Sequence, residues 1–361
     1  MMPYIKEKDR GSLLPVLTNR YLKVNDTETG YEEGRVVGEF KAELFPERKS
    51  PLKEDFDQAF EENPRGISPE LTQEAKTEAN YKNYLEIHEC ESLEARFVLN
   101  ADQPQLIDYQ QVTVPTGQVG ALTLILEAKG EGLYYRNGLV EVDLPEDSQL
   151  DLILVHKVGP NTTNNLSLVA NLADGALLKV TEVEMGEGKT NFYYSPDLLG
   201  YESTTNVSTA FLGHGQADFD LFYHLRFLGE YSTGHIEANG ALTDQAKKSF
   251  RGTLNFEEGC IGASGDEAEF TILNSEEAKS LAVPELICKE NEVTGNHASS
   301  AGRIDEDLLY YFLCRGIPEE EARNLIVEAK MIPTFDRIPD PELRRALKKE
   351  IRQRSLAHHE I

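Results

Sequence analysis

Residues 140–154 read VEVDLPEDSQLDLIL, two runs of alternating apolar and polar residues parted by a turn. Val140, Val142 and Leu144, then Leu150, Leu152 and Leu154, share a face only at period two, so both runs are strands. Pro145, Asp147 and Ser148 between them are residues that reverse a chain. The same signature extends outward in both directions. Val112-Thr-Val114 and Leu122-Thr-Leu124-Ile-Leu126 precede it, and Leu166-Ser-Leu168, Leu177-Leu-Lys-Val180, Phe219-Asp-Leu221 and Phe250-Arg-Gly-Thr-Leu254 follow. From about Leu93 no helix-patterned stretch interrupts roughly 180 residues, about twice the length of one sandwich. Several runs recur roughly 20–25 residues apart, close to one turn of a parallel β-helix. Gly175-Ala-Leu177 is echoed by Gly240-Ala-Leu242, as stacked turns would be. The repeat is degenerate, so a sandwich stays open beside the β-helix.

On the N-terminal side the pattern changes. Residues 1–50 are polar and irregular, with turn signals at Gly11, Gly30, Gly34 and Gly38. Leu52, Phe56, Ala59 and Phe60 lie at helical spacing and stop at Pro64. Ser68-Pro69-Glu70 reads as an N-cap with proline at the first helical position, opening a helix expected to reach about Tyr84. On the C-terminal side Asp305 caps a helix that ends at Gly316, and Pro318 opens another with Ala322, Leu325, Ile326 and Ala329 in one stripe. Asp340-Pro341 starts a third, with Leu343, Ala346, Leu347 and Ile351 on one side. Three regions follow: 1–92, partly helical; 93–302, the β core; and 303–361, a small helical domain.

The formal charge is −27, and it is uneven. From Arg303 onward there are 11 basic and 12 acidic residues, which leaves 25 basic and 51 acidic in the first 302. Such an acidic body opposes binding to nucleic acid or anionic lipid, which need clustered Lys and Arg. The third helix alone gathers Arg344, Arg345, Lys348, Lys349, Arg352 and Arg354, a solvated face or a surface for an acidic partner, the chain's own body included. No apolar run is long enough for a signal peptide or a membrane span, and Cys90, Cys260, Cys288 and Cys314 form no C-x-x-C pair. A cytoplasmic protein with neither a structural zinc site nor a cluster of its own is the expectation.

Motifs for catalysis are missing. Gly259-Cys-Ile-Gly262-Ala-Ser-Gly265 has the wrong spacing for a dinucleotide loop, and there is no G-x-S-x-G or H-E-x-x-H. Asp218 and Asp220 share a strand face, a spacing suited to acid–base work or a cation, but alternate with Phe219 and Leu221 like a solvated outer face. His156, His214, His224 and His235 are scattered among strands and turns, and His358-His359 ends the chain. His297 differs, because it stands at the junction of the β core and the helical tail. Imidazole is an iron ligand and a base near neutral pH; a structural role at a domain junction is the alternative.

The segment from His297 to Ala329, HASSAGRIDEDLLYYFLCRGIPEEEARNLIVEA, resembles the C-terminal signature of the SufB/SufD family. Gly240-Ala-Leu242 with Ser249-Phe250-Arg251-Gly252 is similar to that family's G-x-L…F-x-G stretch, as is Ile272-Leu273-Asn274-Ser275 followed by Pro284-Glu-Leu286. The resemblance covers about residues 140–355, is strongest over 239–330 and fades at the N-terminus, where the family's tryptophan motif is absent. It implies a right-handed parallel β-helix core with an N-terminal helical region and a C-terminal helical domain. It also implies a non-catalytic scaffold in iron–sulfur cluster assembly, with a SufB-type subunit as partner (or a second copy when alone) and a SufC-type ABC ATPase held by the C-terminal helices.

Within that resemblance the branch is SufD. Glu269 stands where SufB carries a sulfur-accepting cysteine, and His297 stands where SufD offers a histidine before Gly-Arg-Ile-Asp. Gly295 replaces a cysteine that some SufD members have two residues earlier, and Cys288 falls where relatives place a core residue. The resemblance thus implies no stably bound cofactor, but a nascent cluster shared with SufB that meets His297. Leu308, Tyr311, Ile317, Leu325 and Ile326 are the positions expected to be buried in the tail or docked on the ATPase. Two rivals stand beside it: a β-helix carbohydrate-active enzyme, and an adaptor that never touches iron.

Overall fold

A computed structural model describes residues 10–15, 27–35, 37–48, 50–53, 56, 60 and 65–357 of the 361. Its centre is a parallel β-solenoid, not a sandwich. Successive strands alternate between two sheets. One sheet has eight strands, from Tyr81–Glu86 to Lys279–Cys288; the other has nine, from Glu43–Phe45 to Thr294–Gly302. All pairings within them are parallel except that of Glu43–Phe45, which lies antiparallel on Ser92–Leu99. Both strands read from residues 140–154 are present, as Tyr134–Leu144 and Gln149–Val158.

The coil is longer and less regular than the spacing of apolar runs implied. Thr163 lies beside Lys189, an offset of 26 residues, whereas Phe250 lies beside Ala282, an offset of 32. Five successive coils turn one corner through a residue with positive φ: Asp147, Gly175, Glu202, Tyr231 and Gly262 stack there at φ 55, 65, 53, 56 and 75°. Their N–H groups donate to the next coil's turn, Gly175 to Tyr201 O at 2.9 Å and Glu202 to Glu230 O at 3.0 Å. Gly175 therefore belongs to a corner, whereas Gly240 is inside a strand, and the two Gly-Ala-Leu runs are not equivalent.

Inward side chains such as Leu122, Leu150, Leu166, Phe192, Leu221 and Phe250 fill the lumen. Outward faces are buried too, which is why strands such as Thr204–Gly213 have hardly an exposed residue. On the eight-stranded sheet, Ile107, Leu139, Val169 and Phe222 lie under Leu14, Phe60, Ile67 and Leu71 from the N-terminal region. On the nine-stranded sheet, Ile125, Ile153, Met185 and Leu212 lie under the C-terminal helices. Burial of this kind is worth ~25 cal/mol per Å² of apolar surface.

Helix α1, Pro69–Glu78, has the expected Ser68 cap, with the Ser68 hydroxyl accepting from Leu71 N–H at 3.2 Å. It ends short of Tyr84 because Tyr81–Glu86 pairs with Gln105–Thr113 as the first solenoid strand. Ladder formation and burial of Tyr81 and Leu85 override the helical pattern. Phe56 and Phe60 are helical and stack at 5.7 Å, while Ala59 and Pro64 lie outside the described residues.

The tail forms α2 (Glu306–Leu313), α3 (Glu319–Phe335) and α4 (Pro341–Ala357). Asp305 caps α2 by accepting from Asp307 N–H at 2.8 Å, and Gly316 turns the chain at φ 78°. Val327, Met331 and Phe335 of α3 and Leu347 and Ile351 of α4 seal the sheet. The basic residues of α4 are drawn largely into local pairs, Arg352 with Glu328 at 2.7 Å and Lys348 with Asp336 at 2.9 Å. Arg354's side chain and His358-His359 lie outside the described residues. Among the described residues no helix is long and apolar enough to cross a membrane.

Candidate functional site

The last coil consists of Lys279–Cys288 and Thr294–Gly302, each paired on one side only within its sheet. Parallel register dictates which side chains look into the lumen. Phe256, Leu254 and Phe250 are core residues, so their partners Cys288, Leu286 and Ala282 face the same way. Among the described residues no further coil covers them, and Leu286 is 44% exposed. Cys288, expected in the core, is exposed for the same reason.

On the opposite strand His297 lies in register with Glu267, and Ser299 with Glu269. The Ser299 hydroxyl donates to Glu269 at 2.9 Å, which confirms the shared lumenal direction. His297 is exposed at the mouth while Glu267 and Glu269 are buried one coil below. Glu269 is fully partnered: Lys248 and Thr271 both bond its carboxylate, and Lys248 also reaches Thr271 at 3.0 Å. Burial lowers the Lys248 pKa, and the Glu269 charge opposes that shift. Glu267 is its contrast. Burial, then the neighbouring Glu269, push its carboxyl up to about 8.

Deeper in the lumen lies a second polar group. Arg136 bonds Asp108 through Nε at 2.8 Å and approaches His156 Nε2 at 3.4 Å. His156 Nδ1 meets Glu184, and Glu182 accepts from Thr209 at 2.8 Å and Tyr223 at 2.7 Å. Ligand atoms of His156, Glu182 and Glu184 all lie within 4.8 Å of one another, a spacing that invites comparison with a metal centre. The chemistry does not fit. A guanidinium only donates, so His156 Nε2 accepts and Nδ1 carries the proton toward Glu184, where a metal would need a lone pair. The group reads as a desolvated hydrogen-bond network: burial pushes Glu182 and Glu184 up to about 8 and His156 down to about 3.

Asp218 and Asp220 face outward as expected but are not an open pair. Asp220 is covered by the N-terminal segment, bonded by Thr27 and Arg251, and Arg251 also holds Ser12 O. That arrangement is a clasp for the N-terminal segment, and it leaves no pair of free carboxylates of the kind a glycosidase uses.

On the tail, the proposed docking residues separate into two groups. Ile326 is buried against Ile304, Leu309 and Ala322, and Ile317 packs at the edge of that cluster. Leu325 is half-buried. Leu308 and Tyr311 point outward at 43% and 52% exposure, joined by Tyr310 at 67% and Leu313 at 39%, two positions the sequence reading passed over. Isolated exposed apolar residues are ordinary, and on α2 they fall into two pairs on different sides of the helix, Leu308 with Tyr311 and Tyr310 with Leu313.

Comparison with known proteins matches residues 97–330 to the family described as SUF system FeS cluster assembly, SufBD core domain. The iron–sulfur cluster assembly protein SufD of Bacillus subtilis is 26% identical over 256 residues, covering 67% of this chain and 58% of that protein. An iron–sulfur cluster assembly SufBD family protein of Mycobacterium tuberculosis is 24% identical over 253 residues, covering 67% and 62%. The chain thus spans about six tenths of the length of these relatives.

Proposed function

Because the chain belongs to the SufBD family of the SUF iron–sulfur cluster assembly system, we propose that it is a SufD-like, non-catalytic scaffold subunit that supports cluster assembly at its open solenoid end. One observation carries this reading: the final coil leaves two strands with an unpaired edge and a lumenal row (Leu286, Cys288, His297, Ser299) open to solvent. Edge strands pair with whatever matching edge they meet, and a second β-solenoid subunit of SufB type fits that requirement. His297 then faces the joint, where a neutral imidazole is a labile ligand for a cluster being built and passed on. The cluster is cargo shared across the joint.

The outward face of α2 that carries Leu308 and Tyr311 is the proposed seat of a SufC-type ABC ATPase. Since α3 and α4 are sealed to the sheet, force on α2 would be passed to the solenoid through α3. A cytoplasmic setting follows from this role.

An anaerobic pull-down with the tagged chain tests the proposal. Recovery of a second β-solenoid subunit together with an ABC-type ATPase is the expected result, with Tyr311→Asp losing the ATPase alone. His297→Ala should leave the complex whole and lose cluster formation. A chain that stays monomeric and comes down with neither partner overturns the reading.

A further inference from the structure

Two carboxylates share the lumen beneath the open end, and they are not alike. Glu269 is engaged by Lys248, Thr271 and Ser299. Glu267 is only 3% exposed, yet among the described residues neither of its carboxylate oxygens has a hydrogen-bond partner. An unpaired buried carboxylate is costly unless a cation or proton compensates it. The fold nevertheless makes room for it. Gly252, on the opposite sheet, has no side chain; a Cβ there would lie 2.2 Å from the Glu267 carboxyl.

Directly in register with Glu267, one strand nearer the mouth, stands His297. Neighbouring strands lie ~4.8 Å apart, so an imidazole and a glutamate on the same face can converge on a single ion. We propose that Glu267 is a second ligand on this chain, and that Glu267 and His297 together take one divalent transition-metal ion at the mouth of the lumen. Nitrogen and carboxylate oxygen are a donor pair suited to ferrous iron, and two protein ligands leave positions open for sulfide and for groups of the facing subunit. The inference rests on the reading of His297 given above, and it adds what that reading lacks: an unpartnered carboxyl behind the imidazole, which releases its proton to solvent as it takes the ion.

The test is anaerobic titration of the full-length chain with Co(II) and Fe(II), in competition with a coloured chelator and with the Co(II) absorption bands recorded. The expected result is one ion per chain, with affinity falling at least about tenfold in Glu267→Gln, in His297→Ala and in Gly252→Ala, whose methyl group displaces the carboxylate. Thermal melting reports whether each variant folds. Should Glu267→Gln fail to fold, Glu267→Asp keeps the charge, withdraws the carboxylate by one methylene and is expected to weaken binding in the same direction. Unchanged affinity in the folded Glu267 variants overturns the role of Glu267, even where His297→Ala still loses the ion and the assembly reading stands. A wild-type chain that takes up neither metal overturns the site altogether, while the pull-down still decides the assembly role.

Discussion

The two ends of the solenoid are built to opposite specifications. At the N-terminal end Phe40, Tyr81 and Phe97 close the lumen, with Tyr81 and Phe97 edge to face at 5.1 Å. The antiparallel strand Glu43–Phe45 lies on Ser92–Leu99, and Tyr84 N–H donates to Ser50 O at 3.1 Å, so the first coil's edges are paired. At the C-terminal end nothing comparable among the described residues covers the last coil, and eight of the nine residues in Thr294–Gly302 are exposed. An unprotected parallel edge is an aggregation liability unless a partner uses it. The difference teaches that one end is closed by the chain itself, whereas the other is left bare among the described residues, as the proposed association requires.

Substitutions at the two ends should therefore read out in different experiments. The largest effect is expected from Phe97→Ala, which empties the aromatic plug at a 1% exposed position and should cost about 3–5 kcal/mol in chemical denaturation. A loss below about 1 kcal/mol would mean that the closed end is not a stability device. A middle-sized effect is expected from Glu267. Its folded pKa of about 8 lies above the ordinary 4.5, so the folded chain holds the extra proton between those values. The resulting contribution is complete below about pH 4.5 and is lost as pH rises through about 8. Denaturation midpoints of Glu267→Gln should depend less on pH over that window than those of the parent chain; equal slopes would show that Glu267 is not the group responsible. The smallest stability change is expected from Leu286→Ala at the open end, within about 0.5 kcal/mol, although pairing with the proposed second subunit should weaken measurably. A Leu286 variant that unfolds while pairing is untouched would break the comparison.

Among the candidate residues, the sequence singles out His297 by its position at a compositional junction together with a motif, and the structure places it, exposed, at the mouth of the lumen. The sequence does not single out Glu267, because nothing in Gly265-Asp-Glu-Ala-Glu269 distinguishes one carboxylate from the next. Its unpartnered state depends on Lys248, Thr271 and Ser299 choosing Glu269 instead, and those residues are brought in by register. Cys288 was misread as core for a related reason: a lumenal position is buried only if another coil follows. Asp218 and Asp220 were placed correctly on an outer face, but the segment around Thr27 that covers them carries no pattern announcing where it will lie.

Local chemistry by itself determined strands such as Tyr134–Leu144 and Gln149–Val158, the helix caps at Ser68 and Asp305 and the stripes of the tail helices, because each depends on residues within one or two turns of one another. The register of one coil on the next lay beyond its reach, since offsets varying from 26 to 32 residues leave the period without a fixed value. Tertiary structure alone decided that Tyr81–Glu86 is a strand, that both outer faces are covered by the chain's own ends, and that a single coil remains bare with His297 at its rim. The reason is physical: stacking couples residues nearly thirty apart through backbone hydrogen bonds whose partners no local pattern names.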